Sequence, residues 1–506
     1  MRKETNMKKL VSLLLALSML LSMALLASCD NKNKPDAETG ETESDTSAPE
    51  LTTADRLGFD KQNYNKEFTI LVNNAYAVNE RDFKIDDPGA DRLSQVIHER
   101  NLACEEYLGI EITISPVAGA NGSTVTKDLY TQVANGSCPY DMGAIGMGML
   151  IQGGYINIYQ NIMQMKYVDL THNWWVEGMI DQLSMNNQLY LLAGDACQST
   201  YTYIGCIYAN LAVAENFNMD VDLYDIVKKG DWTLAKFFEL YKQVGKDDNN
   251  DGNFDETETY GWCNHGIGVR LMWTAAGIEM IQRQSNGTFA LRSALDTRIT
   301  DLTTLFLTAF EDPHSNYVGD ENDMAKAFAE DRVFLVSSWL AQAENFRKND
   351  MESPFAILPM PKYDDTQKDY IASNSGTYNA LFFPVNVSSP ELCAQVAEFM
   401  GWYGKTYVVP EYYDVALKYR QNDVEANIEM LDLLREKLIV TPNESYGSIT
   451  AEGVDQIMYF TQLTYYTTGK KGDGSKAFYA NPASVWEKKS PAIREAINSY
   501  VFQYYQ

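Results

Sequence analysis

The chain has 506 residues and a formal net charge of −28, with 69 acidic against 41 basic side chains. So acidic a chain is excluded as a bulk binder of nucleic acid or of acidic ligands, and its length suffices for two or more domains with substantial cores. The 32 tyrosines, 20 phenylalanines and 8 tryptophans are a rich supply for packing and for stacking on flat apolar faces.

At the amino terminus, Lys3, Lys8 and Lys9 precede the apolar run Leu10–Leu26, which only serines interrupt. A basic region before an apolar one reads as a bacterial export signal rather than as structure. The run closes on Leu26-Ala27-Ser28-Cys29, a lipobox pattern in which cleavage leaves Cys29 as the acylated, palmitate-bearing first residue of the mature chain. An uncleaved membrane anchor is the rival reading, and the small residues before the lone cysteine favour lipidation. Residues 1–28 are therefore expected to be removed. The stretch that follows is acidic and lacks aromatic residues as far as Thr53. It cannot bury enough apolar surface to offset its ordering entropy, so residues 29–60 are expected to form a disordered tether.

Strand, helix and strand then alternate. Phe68–Val72 is an apolar strand ending at a loop through Tyr76. Asp91–Leu108 is a helix whose apolar face is Leu93, Val96, Ile97, Ala103 and Tyr107. Glu111–Ser115 is a second strand, Asp128–Ala134 a helix, and Tyr140–Ile145 a third strand, followed by Gly146-Met147-Gly148 where open α/β sheets place their ligands. A hairpin is expected at Asn186-Asn187 and a strand at Cys206–Asn210. Beyond Cys29 the cysteines (104, 138, 197, 206, 263 and 393) show no CxxC spacing, which leaves either a local Cys197–Cys206 bridge or free buried thiols. The four histidines share no metal-ligand spacing.

Asp231–Trp262 carries the strongest local motif. Thr233 caps a helix with the apolar stripe Leu234, Phe237, Phe238, Tyr241 and Val244, and Gly245 reads as its stop. Asp247, Asn249, Asp251, Gly252 and Glu258 then match the twelve-residue calcium-loop pattern, with Asn253 offering a carbonyl and Asp255 acting through water. Thr259–Trp262 reads as a strand or turn, not as the exiting helix of an EF-hand. The alternative is an Asx-rich surface turn. Further on, a helix from residue 321 leads into the buried strand Val333–Ser337 with Trp339 just beyond its carboxyl end. Asn379–Val385 is a strand, and Pro390–Trp402, Asp423–Leu438, Thr450–Thr464 and Pro491–Tyr505 are helical.

Several phrases together resemble the extracellular solute-binding proteins of ABC importers, carbohydrate-binding type. They are the Asp-Trp-Thr helix with its acidic loop and Tyr-Gly-Trp, the Trp-Trp segment within Tyr167–Asp195, residues 321–339, Phe355–Pro361 with Lys362–Tyr370, Asn379–Val385, Val408–Leu417 and Asp423–Leu438. They span nearly all of residues 65–440. The resemblance implies a two-lobed periplasmic-binding-protein-like α/β fold of mostly parallel sheets flanked by helices, with a ligand cleft at the hinge. Lobe one would be 65–195 plus 379–412, and lobe two 196–378 plus 413–506. It further implies a monomeric extracellular protein that delivers a sugar or oligosaccharide to permease subunits, with no cofactor; the lipid anchor is expected from the lipobox, and a structural calcium from the loop spacing, with the Asx-rich turn as its alternative. In such proteins a tryptophan at the end of the strand corresponding to Val333–Ser337 packs on a pyranose ring. Trp339 takes that role here, and Tyr76, Met147, Asp195, Trp262, His265, Tyr378 and Tyr412 are expected to line the remaining wall.

The rival classes are a secreted lipoprotein glycoside hydrolase and a sensor or adhesin of the same fold. No GxSxG elbow, HExxH or glycine-rich phosphate loop is present, and the lipobox, tether and family phrases favour a non-enzymatic binder.

Overall fold

Two sheets organise the computed structural model, which describes residues 51–73, 77–117, 122–150, 155–250, 258–264, 267–312, 321–374, 376–417, 424–446 and 482–503. The first is built from β1 (Lys66–Asn73), β2 (Ile110–Val117), β3 (Met142–Gly146) and, far along the chain, β12 (Asn379–Phe382), in the order β12-β3-β1-β2. The three early strands are parallel, and β12 joins antiparallel with Asn379 opposite Gly146. Each parallel step needs a crossover, and the helices Arg92–Leu108 and Gly122–Ala134 supply them. Asp91 caps the first of these by accepting from the Ser94 amide, and Gly109 ends it in the left-handed region.

The second sheet uses β4 (Gly205–Asn210), β5 (Gly245–Lys246), β6 (Thr259–Asn264), β9 (Val333–Trp339) and β10 (Phe355–Pro359), in the order β10-β4-β9-β6-β5. It is mixed: β6 and β9 run parallel, while β4 is antiparallel to both β9 and β10. Central β9 is buried on both faces from Val333 to Ser338, as its unbroken apolar start requires. Two small pairs, β7 (Ile281–Arg283) with β8 (Phe289–Leu291) and β11 (Ala372–Ser373) with β13 (Leu438–Ile439), complete the strands. Thr52–Gln506 forms one compact unit.

The chain leaves the first sheet after Leu192, which bridges to Leu381, and enters the second at Gly205. It returns between Pro359 and Asn379. Asn186 and Asn187 both take positive φ between the bridged Met185 and Gln188, as a tight two-residue hairpin demands.

Five expectations are corrected or bounded. The expected tether does not extend to residue 60: a capping box at Thr52 opens the helix Thr53–Leu57, and buried Leu57 and Phe59 anchor it. Gly245 does not stop a helix. That helix ends at Tyr241, and Gly245 pairs with Tyr260, so the acidic loop closes a β-hairpin. The last helix runs Pro482–Gln503 with Pro491 inside it, starting a turn or more earlier than the proline suggested. The expected helix near 450–464 lies outside the described residues. The six cysteines at 104, 138, 197, 206, 263 and 393 are free thiols, so there is no Cys197–Cys206 bridge. Among the described residues no helix is long and apolar enough to cross a membrane.

Candidate functional site

Where the carboxyl ends of β1 and β3 meet the crossing segments, a buried polar network fixes the junction. Asp82 accepts from the Ser199 amide at 2.8 Å, the Ser199 hydroxyl at 2.5 Å and Asn379 Nδ2 at 2.8 Å. Asn379 in turn accepts from Asn79 Nδ2 at 2.8 Å and donates to the Asn79 carbonyl at 2.9 Å. Arg100, fully buried, donates to the carbonyls of Ala196 and Asp82 at 2.7 and 2.5 Å. Residues on the outgoing and returning crossings are thereby tied to the same point of the first sheet. Burial pushes the Asp82 carboxyl up to about 6, against the opposing pull of these donors.

A second device holds the Trp-Trp segment. Glu398, on the helix Pro390–Tyr403, is fully buried and accepts from Trp174 Nε1 at 2.9 Å, Trp175 Nε1 at 3.0 Å and the Asp169 amide at 2.9 Å; His172 Nδ1 lies 2.9 Å from it. The Glu398 hydrogen bond raises the His172 pKa. The segment then pairs with the start of the crossing, Trp175 with Gly194, and the Asp195 amide donates to the Trp174 carbonyl at 2.8 Å. Gly404 makes the next contact possible, since a Cβ there would lie 1.8 Å from the Asp195 carbonyl oxygen.

These supports frame a cavity of about 520 Å³, within the range of small-molecule sites. One wall is the 170–178 loop with Lys405, and the other is Asp432, Arg435, Glu436 and Leu438; Gly194, Asp195, Thr200 and Tyr201 form the floor. The first wall is held to the first-sheet half through Glu398. The second belongs to the helix Val424–Glu436 and, at Leu438, to β13; Asn427 of that helix pairs with the backbone of Phe355 and Ile357 in β10. Arg435 donates to the Asp195 carboxylate across the gap. Burial pushes Asp195 up to about 6 although Arg435 and Lys405 pull it down. Burial and the neighbouring Arg435 lower Lys405.

The expected wall residues fall in different places. Asp195 lines the cavity. Trp339 is the one residue of β9 that is not fully buried, and its indole meets Tyr203 edge-on at 5.1 Å. Met147 and Tyr378 come together, but as buried partners: the Tyr378 hydroxyl and the Ser445 hydroxyl each reach the Met147 sulfur at 3.0 Å. In this arrangement neither offers surface to a solute. Trp262 is corrected to a core residue, packed among Phe237, Phe238, Tyr241 and Phe306 with its N–H on Ser337 Oγ at 3.1 Å. The apolar stripe of the helix Leu234–Tyr241 needed a partner, and Trp262 is it. Tyr412 is likewise buried, its ring 5.0 Å from that of Tyr201. Tyr76, His265 and Cys29 lie outside the described residues.

Of the metal candidates, Asp251, Asn253 and Asp255 lie outside the described residues. Among the described residues there is no group of three His, Cys, Asp or Glu side chains placed to hold a metal. Glu258 is nevertheless fully buried and turned back to the loop's start, where it accepts from the Asp248 amide; Asp248 is held by Lys246 and by the Thr259 hydroxyl at 2.6 Å. These contacts tie Glu258 and Thr259 to Asp248. Residue reading missed Tyr201, Lys405, Asp432 and Arg435. Only tertiary contact brings them beside Asp195, and no local spacing marks them.

No protein-family profile and no curated protein matches the chain. Solved structures do. A cyclo/maltodextrin-binding protein complexed with maltotetraose aligns with a TM-score of 0.52 at 11% identity over 87% of this chain and 96% of that one. The galacto-N-biose/lacto-N-biose I-binding protein of an ABC transporter from Bifidobacterium longum aligns with 0.54 at 10% over 87% and 97%. Apo RafE from Streptococcus pneumoniae aligns with 0.51 at 14% over 88% and 100%. Likeness at such identities is one of fold, and the chain accordingly has the two-lobed α/β fold of the sugar-binding solute-binding proteins of ABC transporters.

Proposed function

We propose that the protein is a lipid-anchored extracellular solute-binding protein that holds a sugar or oligosaccharide between its two halves and presents it to an ABC importer. The observation that carries the sugar is Trp339. It stands at the carboxyl end of an otherwise buried central strand, incompletely covered, with Tyr203 against its edge. A sugar ring has an apolar C–H face and a polar rim, so a flat indole suits the face and leaves the rim to hydrogen-bonding groups. The proteins of like fold are binding proteins. A thermal-shift screen of the purified protein against maltotetraose, lacto-N-biose, raffinose and glucose tests the reading. A bound sugar raises the melting temperature by mass action, and no shift with any sugar removes it.

Anchoring at Cys29 is part of the same proposal and rests on the lipobox pattern. Cys29→Ala should release the protein to the medium, and membrane retention at wild-type level would count against lipidation. The loop 247–258 is proposed to hold one calcium ion through Asp247, Asn249, Asp251, Asn253, Asp255 and Glu258. Its contribution would be to fix the hairpin between β5 and β6, not to touch solute.

A further inference from the structure

Trp339 and Tyr203, which carry the sugar reading, do not line the cavity of about 520 Å³ floored by Asp195 and Tyr201. What this cavity takes follows from its charges, once those that the fold already uses are set aside. Arg435 and Asp195 serve each other, His172 is engaged with Glu398, and Glu436 pairs with Lys437 at 3.1 Å. One cation is left over: Lys405, half-buried on the first wall, makes no hydrogen bond or ion pair among the described residues. The carboxylates left over are Asp432 and Glu177, and it is Asp432, on the opposite wall, whose charge reaches Lys405 without forming an ion pair with it. The floor adds a third unused group. Tyr201 is 1% exposed, and its hydroxyl has no hydrogen-bond partner among the described residues. Its ring is supported by Tyr412 at 5.0 Å, so packing does not need the hydroxyl. A buried, unpartnered hydroxyl is costly unless something completes it, and so is a half-buried ammonium without a counter-charge.

We propose that this cavity is a second ligand site, separate from the one at Trp339, and that it takes a small zwitterion bearing one ammonium and one carboxylate, of which an α-amino acid is the simplest. The ligand's carboxylate accepts from the Lys405 ammonium and the Tyr201 hydroxyl, and its ammonium donates to the Asp432 carboxylate. Simpler ligands match the site less well. A plain amine leaves Lys405 and Tyr201 unmet, and a plain carboxylate leaves Asp432 unmet and enters a cavity whose walls already carry more carboxylates than cations. An uncharged ligand meets neither charge. The aromatic part of the first wall is preformed, because Glu398 holds both Trp174 and Trp175 by their N–H groups, so little ordering is needed on binding.

Calorimetry on the purified protein tests this, with L-glutamine, L-phenylalanine and γ-aminobutyrate as probes. Each is run beside its N-acetyl derivative, which lacks the ammonium, and its carboxamide, which lacks the carboxylate. At least one zwitterion should bind, and both of its derivatives should bind about tenfold more weakly or not at all. For that zwitterion, Lys405→Met and Asp432→Asn should each weaken binding about tenfold or more, and Tyr201→Phe about tenfold. Neither Lys405 nor Asp432 gives up a partner within the described residues, so these two variants should melt with the wild type, and a lost affinity then reports the site rather than the fold. Binding of none of the three probes, derivatives that bind as well as their parents, or wild-type affinity in either charge variant overturns the proposal. The sugar screen is read separately: sugar binding without zwitterion binding removes this proposal alone, and the reverse removes only the sugar reading.

Discussion

Glu398 shows how much one residue can organise. Its carboxylate gathers two indole N–H groups, a backbone amide and a histidine into one buried point, which holds the Trp-Trp segment to the helix Pro390–Tyr403. Glu398→Ala would leave those donors buried without acceptors, at a cost of about 3 kcal/mol or more, and would loosen the cavity wall. Urea denaturation measures the first effect, and a loss under about 1 kcal/mol would show that the donors find other partners. Trp339 is the opposite case, a residue whose place was legible while its partners were not. The apolar run from Val333 announced a buried strand and its end, whereas Tyr203 reaches the indole only through the crossing segment. Trp339→Ala should cost roughly 1–3 kcal/mol of sugar affinity, by analogy with aromatic stacking on bases, with modest loss of stability. A loss of roughly 3–5 kcal/mol in folding with unchanged affinity would identify it as core packing instead.

Elements were legible where a local signal set them. The helix Leu234–Tyr241 with its Thr233 cap, the strand β9, the helix Arg92–Leu108 and the Asn186-Asn187 hairpin follow from periodicity, capping and positive φ. Strand direction was not legible, because parallel and antiparallel neighbours of a buried strand share one apolar pattern; β4 between β9 and β10 is such a case. The acidic loop illustrates the same divide. Its side-chain spacing could be read directly, but that it closes the hairpin of β5 and β6 depends on Gly245 finding Tyr260. A bound ion there should stabilise by mass action. With an affinity of roughly 10⁻⁴–10⁻³ M, as in extracellular modules, millimolar calcium should raise the melting temperature and EDTA should reverse the rise. An unchanged melting temperature would leave the loop an Asx-rich turn.

At the scale of the whole molecule, the two sheets are joined through groups whose charge depends on pH. Asp82 sits where both crossings meet the first sheet, and none of its partners in the hydrogen-bond network is charged. Arg100, the nearby cation, hydrogen-bonds the Asp82 backbone carbonyl rather than its carboxylate. With its carboxyl pushed up to about 6 by burial, the folded chain keeps this proton in a window where the unfolded chain has already lost it. Stability therefore falls as pH rises from about 4 to about 6 and stays at the lower level above, by on the order of 3 kcal/mol for this one group. His172 acts in the same sense. Its pKa is raised by the Glu398 hydrogen bond, so its contribution is present at low pH and is lost as pH rises through the folded value. Carboxylates held below their usual range, such as Asp55 and Asp169, oppose this only at lower pH, where they become protonated. The melting temperature should accordingly be higher at pH 5 than at pH 7.5. In Asp82→Asn, which cannot titrate, the dependence on pH should be shallower, whatever stability the variant loses through its altered hydrogen bonds. Melting curves at half-unit steps decide the matter: a temperature that climbs throughout from pH 5 to 7.5, or a slope that Asp82→Asn leaves unchanged, would mean that the hinge network keeps its carboxylate charged.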